Sequence, residues 1–305
     1  MGAMEKIMLV SNLHAGSVST RTREVIIKAL QADFKVEAVD TARRNHATDL
    51  ARDAVDRDFD AVLAFGGDGT INEVAQGLVE TDVALGILPG GSTNVLARSL
   101  GIPVDPVDAT GFVGERLRGG ARRRINVGRN DDRFFLLCTG MGLDAEVVKR
   151  VEADPVRKRN NHEWAFVSNA LKAGLGAYRG MDAGITMTVD GSDPVDVMTA
   201  VCCNGRPFTY FKRFPVDVCP DATLDGGLDV FGLHRMRAGT APRLAWALFV
   251  SGSHRRWRTS TYRHEVSEIE LRADRPMPVQ VDGDYIGEFA SRTISLRKDA
   301  LDLLV

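Results

Sequence analysis

The stretch Ala64-Phe65-Gly66-Gly67-Asp68-Gly69-Thr70-Ile71-Asn72-Glu73 leaves the backbone few options, because an apolar strand must give way to a helix across three glycines and an aspartate. Glycines 66, 67 and 69 permit positive φ and let the main chain approach an anion with no Cβ in the way. The helix beyond them presents free N–H groups and the positive end of its dipole. That combination suits a nucleoside triphosphate. Asp68 is the odd member: a carboxylate among phosphate-binding amides repels phosphate unless a divalent cation or a set of donors stands between them, so it points to Mg²⁺. The same residues also fit a plain βα turn, with Thr70 and Glu73 forming a capping box.

At 305 residues, two domains are the natural expectation. Apolar residues at 44%, charged residues at 26% and a net charge of −2 exclude wholesale disorder and argue against a general nucleic-acid binder, which needs a large basic excess. The apolar run Leu244 to Val250 falls far short of the ~20 residues of a transmembrane helix. Met1-Gly2-Ala3 reads as a short extension ahead of Met4, and no charged-then-apolar signal segment follows. Cysteines at 138, 202, 203 and 219 have no CxxC spacing, and the histidines show no metal-type pairing. A reduced, cytoplasmic setting is the expectation.

Along the first ~125 residues strands and helices alternate, as in a mostly parallel sheet covered by helices. Strands are expected at Ile7 to Val10, Phe34 to Val39, Ala61 to Phe65 and Val83 to Leu88, with helices around Thr22 to Ala32, His46 to Arg57 and Val95 to Leu100. Ala47, Leu50, Ala51, Ala54 and Val55 mark one buried helical face; Ile71, Val74, Ala75, Leu78 and Val79 mark another, behind the glycine turn. A second such turn, Pro89-Gly90-Gly91-Ser92-Thr93-Asn94, follows the neighbouring strand. Open α/β sheets place ligands at such strand ends.

After Arg122 the rhythm becomes that of half-buried antiparallel strands, as in Ile185-Met187-Val189 and Ile294-Leu296. Strands are expected at Ile125 to Val127, Phe134 to Cys138, Ile185 to Val189, Val197 to Cys203, Leu228 to Leu233, Val266 to Leu271 and Val279 to Val281. Two helices, near Glu163 to Leu175 and Thr240 to Val250, interrupt them. The domains expected are 1–124, an α/β nucleotide-binding domain to which 295–305 returns, and 125–294, a β-rich sandwich.

These motifs resemble the diacylglycerol kinase catalytic-domain family, the lipid kinases that also include sphingosine kinases and bacterial homologues. The parts that carry the resemblance are the Gly66-Gly67-Asp68-Gly69-Thr70 loop with Asn72 and Glu73, the 89–94 turn followed by Ala97-Arg98, Leu224-Asp225-Gly226-Gly227-Leu228-Asp229, and Val281-Asp282-Gly283-Asp284. Their order spans nearly the whole chain, and the wording between them is most similar to small soluble actinobacterial members. The resemblance implies a two-domain NAD kinase/diacylglycerol kinase-like fold with a cleft, and Mg²⁺-dependent transfer of the γ-phosphoryl of ATP to a lipid hydroxyl, diacylglycerol first. Phosphoryl transfer asks for phosphate positioning, a cation and a group to take the hydroxyl proton. No GxxxxGK[ST] is present, so the glycine turns must hold the phosphates.

By the resemblance, Gly66, Gly67, Asp68, Gly69, Thr70, Ile71 and Asn72 line the triphosphate, Thr93 reaches the nucleotide, and Asn12 and Thr41 edge the same pocket. A strand-end turn and a cap explain Asn12 and Thr41 nearly as well. Asp282 is the preferred general base, with Asp284 as the other member of the pair. Asp282-Gly283 is equally a type I′ hairpin signal. Asp68 and Asp225 are the metal candidates, although Asp225 also fits a turn residue. The chain departs from relatives in having Val95 and Asn126 where many have aspartate, and Asp225 alone before Gly226-Gly227 where relatives often carry two acids. Partners implied are a lipid substrate at the membrane surface and no nucleic acid, with a homodimer left open and the inner membrane face as a peripheral station.

Other readings fit parts of the same sequence. Gly140-Met141-Gly142-Leu143-Asp144-Ala145 mimics a dinucleotide fingerprint, but no acidic residue closes a second strand about 20 residues later, where a helix with Trp164 and Phe166 is expected instead. NAD kinase shares the Gly-Gly-Asp-Gly-Thr loop, while Asn72-Glu73 and Gly91-Ser92-Thr93-Asn94 favour lipid kinases, sphingoid kinases among them. A non-catalytic lipid-binding or regulatory protein would accommodate Val95 and Asn126. His254-Arg255-Arg256-Trp257-Arg258 fits either anionic lipid headgroups or a solvated loop, as do the runs at 122–124 and 157–159. Leu244, Leu248 and Val250 are expected in the core.

Overall fold

The structure, a computed structural model, describes residues 4–13, 18–153, 184–235, 243, 244 and 246–305. The helix expected over 163–175 and the cations 157–159 lie outside them. Two compact units emerge, Met1–Val127 with Lys298–Val305, and Gly128–Arg297.

In the first unit the order is β1 (Lys6–Ser11), α1 (Thr20–Gln31), β2 (Lys35–Asp40), α2 (His46–Asp56), β3 (Ala61–Gly66), α3 (Asp68–Leu78), β4 (Ala84–Pro89), α4 (Val95–Ser99) and α5 (Pro106–Gly119). The strands pair in parallel in the order β2-β1-β3-β4, with Ile7 opposite both Val36 and Ala61, and Val62 opposite Leu85. Every residue of β3 and β4 is buried, as a parallel sheet covered on both faces requires. α5 is a helix the apolar spacing alone did not single out. Asp105 caps it by accepting from Val107 and Asp108 N–H, Pro106 supplies the fixed φ of its first turn, and Gly120 at φ 62° ends it.

The second unit continues through β5 (Arg123–Asn130), β6 (Arg133–Phe135), β7 (Cys138–Gly142), α6 (Leu143–Glu152), β8 (Ile185–Val189), β9 (Val195–Val197), β10 (Thr199–Cys203), β11 (Thr209–Phe211), β12 (Phe214–Val216), β13 (Leu228–Leu233), β14 (Ser260–Val266), β15 (Glu268–Val281) and β16 (Asp284–Leu303). Among the described residues the pairings within Gly128–Arg297 are antiparallel, while the end of β16, in the first unit, pairs in parallel with β4 through Leu303 and Leu85. One sheet runs β14-β13-β10-β7-β15, and β15 pairs by its other half with β8. β15 therefore serves two sets of strands, with a register break between Arg272 and Met277. Met141, Met187, Cys202, Cys203, Val230, Phe231 and Val279 fill the core. The four cysteines are free thiols, and all are buried.

Near the end of the expected 240–250 helix, Ala247–Ser251 is a π-helical turn. Leu244 and Leu248 pack against the core, but Val250 is 62% exposed, contrary to its expected burial. A π-turn is wider than an α-turn, so the apolar spacing read at 3.6 residues per turn rotates this side chain outward.

Candidate active site

The C-terminal ends of β1 to β4 gather the nucleotide-site candidates of the first unit. Strand order β2-β1-β3-β4 reverses direction of winding between β1 and β3, which is where an open α/β sheet leaves a crevice. Asn12 follows β1, donates its backbone N–H to Phe65 O at 3.0 Å and its Nδ2 to Thr70 Oγ1 at 3.1 Å. Thr41 follows β2 and donates its N–H to Ser11 O at 2.8 Å. Asn12 is thus tied to the glycine turn, and Thr41 to the end of the adjacent strand.

The two glycine turns lock backbone against backbone. Gly90 N–H meets Gly66 O at 2.7 Å, and a Cβ on Gly91 would stand 2.7 Å from Gly67 Cα. At Gly66 a Cβ would fall 2.6 Å from Thr70 Oγ1. Gly67 caps α3 in an extended conformation and supplies no side-chain hydrogen bond to its first turn. Ile71 gives its N–H to Gly67 O and its side chain to the core, while Asn72 is buried and accepts from Gln76 Nε2. Thr93 is half-buried in the second turn, which Asn94 staples by exchanging two 2.9 Å bonds with Gly91.

Asp68 lies in the first turn of α3 and points its carboxylate at α4, accepting from Val95 N–H at 3.1 Å and Leu96 N–H at 3.2 Å. Burial outweighs those two bonds and raises its pKa. The capping box expected from Thr70 and Glu73 does not form. Glu73 instead accepts from Asn45 N–H at 2.9 Å and Ala47 N–H at 3.3 Å, closing the start of α2, whose own cap Asn45 sits at φ 63° and offers no side-chain bond. A helix that already starts at Asp68 has Thr70 inside its first turn, too late to be its cap. Asn126, buried, accepts from Asp299 N–H at 2.8 Å, and Val95 turns its side chain inward.

In the second unit Asp282 and Gly283 have φ of 47° and 84° and link Val281 to its partner Asp284, the geometry of a type I′ hairpin. The Asp282 carboxylate accepts three amides, from Leu136 at 2.8 Å and from Leu137 and Cys138 at 2.9 Å each. It fastens the β6–β7 connection. Asp284, half-buried, meets Arg133 Nη2 at 3.3 Å. No sequence signal links Arg133 to an acid 151 positions away.

Asp225 is exposed in the turn before Gly226 and Gly227, where Gly227 N–H donates to Glu265 Oε2. Behind that turn Asp229, fully buried, accepts from Tyr262 hydroxyl and from His264 Nδ1 at 2.6 Å. Burial pulls the His264 pKa down, but the bond and charge of Asp229 prevail and raise it. Among the described residues no three His, Cys, Asp or Glu side chains converge as a metal set. A magnesium ion needs only one or two carboxylates beside substrate phosphates. Asp68, with two of about four lone-pair sites used by amides, meets that requirement.

The dinucleotide-like Gly140 to Ala145 does not form an anion turn. Asp144 puts its carboxylate over Gly140, where a Cβ would lie 1.8 Å from Oδ2, and bonds Thr199 Oγ1 at 3.1 Å and Gln280 Nε2 at 3.2 Å. A carboxylate already fills the place a pyrophosphate would need.

Residues 6–129 match the diacylglycerol kinase catalytic domain, and residues 138–305 match the YegS C-terminal NAD kinase beta sandwich-like domain. The chain is 36% identical over 277 residues to a diacylglycerol kinase of Bacillus subtilis, covering 90% of this chain and 87% of the relative. It belongs to the diacylglycerol kinase family. A crystal structure assigned as a diacylglycerol kinase from Bacillus anthracis shares the fold at TM-score 0.77 and 22% identity, covering 99% of this chain and 97% of that one. An NAD kinase from Archaeoglobus fulgidus, solved with ATP, is similar at TM-score 0.52 and 14% identity over 98% of this chain and 93% of its own.

As a diacylglycerol kinase family member the chain is a lipid phosphotransferase with an α/β first domain and a β-sandwich second domain. Membership in a kinase family implies a nucleotide as phosphoryl donor. Among the described residues no helix is long and apolar enough to cross a membrane.

Proposed function

We propose that this chain transfers the γ-phosphoryl group of ATP to the hydroxyl of diacylglycerol, forming phosphatidic acid and ADP. The observation that carries the reading is the pair of glycine turns locked at the ends of β3 and β4, beside an α3 N-terminus with no side-chain cap. Amide donors there and the helix dipole suit the triphosphate, with Asn12, Thr41 and Thr93 at its edges. Relatives named diacylglycerol kinase and the ATP of the NAD kinase neighbour support it.

In the reaction the lipid oxygen attacks the γ-phosphorus, the bond to the β–γ bridging oxygen breaks, and the hydroxyl proton passes to a carboxylate. Asp284 suits that last role better than Asp282, whose oxygens already hold three amides. Mg²⁺, held by Asp68 with Asp225 as a further candidate, would neutralise charge on the phosphates. An ionised carboxylate beside phosphates repels them unless such a cation or a set of donors stands between.

Labelled ATP with Mg²⁺ and separate vesicle or micelle preparations of diacylglycerol, sphingosine, phosphatidylglycerol and polyprenol, with NAD beside them, tests the reading. Label is expected in phosphatidic acid. Transfer to NAD would move the assignment to the soluble kinase, and transfer to no acceptor would favour a lipid-binding protein.

A further inference from the structure

Phe214, Trp246, Phe249 and Val250 are 53, 65, 40 and 62% exposed, and they are the exposed large apolar side chains among the described residues of the second unit. They lie on two neighbouring pieces of chain. The π-helical turn Ala247–Ser251 packs on β12; Asp217 N–H reaches Leu248 O at 3.1 Å, and the rings of Phe211 and Phe249 meet edge to face at 6.0 Å. Ala247 and Leu248 already face the core, so this turn is apolar on both sides. Among the described residues its outer side has no partner that would justify a tryptophan and a valine in water.

Charge is segregated along the same part of the sequence. From Val230 to His264 the sequence carries seven arginines and neither Asp nor Glu, in a chain of net charge −2. Arg213 stacks on Phe214 at 5.3 Å, at the tip of the β11–β12 hairpin. Arg256 and Arg258 are exposed, and the short helix Ser253–Arg256 packs on the π-helical turn. The nearby carboxylates are matched, Asp217 by Arg206 and Asp221 by Arg255. The net sign of the patch is positive.

We infer that this face of the second unit docks on an anionic bilayer, with Phe214, Trp246, Phe249 and Val250 entering the headgroup and acyl boundary and Arg213, Arg256 and Arg258 meeting lipid phosphates. Aromatic and aliphatic side chains ringed by cations are the composition that seeks this interface. The proposal rests on the lipid-kinase reading only for its purpose, which is to bring the site to an acceptor dissolved in the membrane.

Co-sedimentation with vesicles of phosphatidylcholine alone and of equal parts phosphatidylcholine and phosphatidylglycerol tests it. Wild type is expected to prefer the anionic vesicles, and added salt is expected to weaken that preference. Arg256→Glu with Arg258→Glu should lower affinity for them at least tenfold, and Phe214→Ser with Trp246→Ser should do so on both vesicle types. If either double variant melts early, Arg258→Gln alone carries the test, with about a fivefold loss expected. Transfer to long-chain diacylglycerol in anionic vesicles should fall with binding, while transfer to a dispersed short-chain diacylglycerol should not. If neither acceptor is phosphorylated the kinase reading fails, yet the vesicle titration still decides the docking face. Equal binding of wild type to both vesicles, wild-type binding by the variants, or retention on heparin without vesicle binding would overturn it.

Discussion

Asp68 and Glu73, five positions apart on α3, each close the first turn of a different neighbouring helix: Asp68 takes Val95 and Leu96 N–H of α4, and Glu73 takes Asn45 and Ala47 N–H at α2. Both receiving helices begin at an asparagine in the left-handed region with no side-chain cap of its own. One helix thereby organises two others around the glycine turns.

Their roles separate on substitution. Glu73→Ala should lower stability by about 1–2 kcal/mol, the cost of losing a cap, and leave most of the turnover. Asp68→Asn should abolish turnover, because the amide is a poor Mg²⁺ ligand and presents N–H to donors. Urea denaturation beside ATP turnover checks both, and a Glu73→Ala enzyme as inactive as Asp68→Asn would assign Glu73 to the chemistry.

The acid pair on the β15–β16 hairpin divides in the same manner. Asp284→Asn should reduce turnover by at least about 100-fold, the scale of a general base, with an unchanged melt. Asp282→Asn keeps a residue that tolerates its φ of 47°, but turns an NH₂ toward amide donors and should destabilise the second unit by roughly 1–3 kcal/mol. Nucleotide affinity should survive both changes. A fully active Asp284→Asn would remove it from the mechanism.

Gly91 offers a steric test of the locked turns. A Cβ there would face backbone, Gly67 Cα at 2.7 Å, so neither partner can swing aside. Gly91→Ala should raise KM for ATP about tenfold or more while the second unit keeps its stability. Steady-state kinetics and a calorimetric scan would show it.

What the sequence made legible is local. β3 runs apolar into glycine, so its burial, its end and the start of α3 follow from neighbouring residues. α5 carries equally local signals in Asp105-Pro106 and Gly120, but Ala109, Val113 and Leu117 are too sparse a face to announce it. Contacts across long separations were not legible. Asp68 to Val95 spans 27 positions, Asp282 to Leu136 spans 146, and only the fold brings either carboxylate to its amides. Asp-Gly at 282 and 283 serves a turn and an acid alike in a sequence, and the three amides on the Asp282 carboxylate come into view only in the fold.

Asp144 gives the second unit a pH dependence of defined sign. Burial raises its pKa from 3.8 to about 6, more than the bonds from Gln280 and Thr199 lower it. The folded state therefore binds the proton more tightly than the unfolded chain, so the favourable contribution is complete below about pH 4 and is lost as pH rises through about 6. A shift of that size corresponds to roughly 3 kcal/mol at most. Asp144→Asn remains neutral throughout, can accept from Gln280 through its carbonyl and can donate to the Thr199 hydroxyl. It should gain stability over wild type above pH 6 and flatten the slope between pH 4 and 6. Urea titrations across that range check it; a wild-type stability that rises with pH there, or is unaltered by Asp144→Asn, would show that the carboxylate is charged in the fold at no cost.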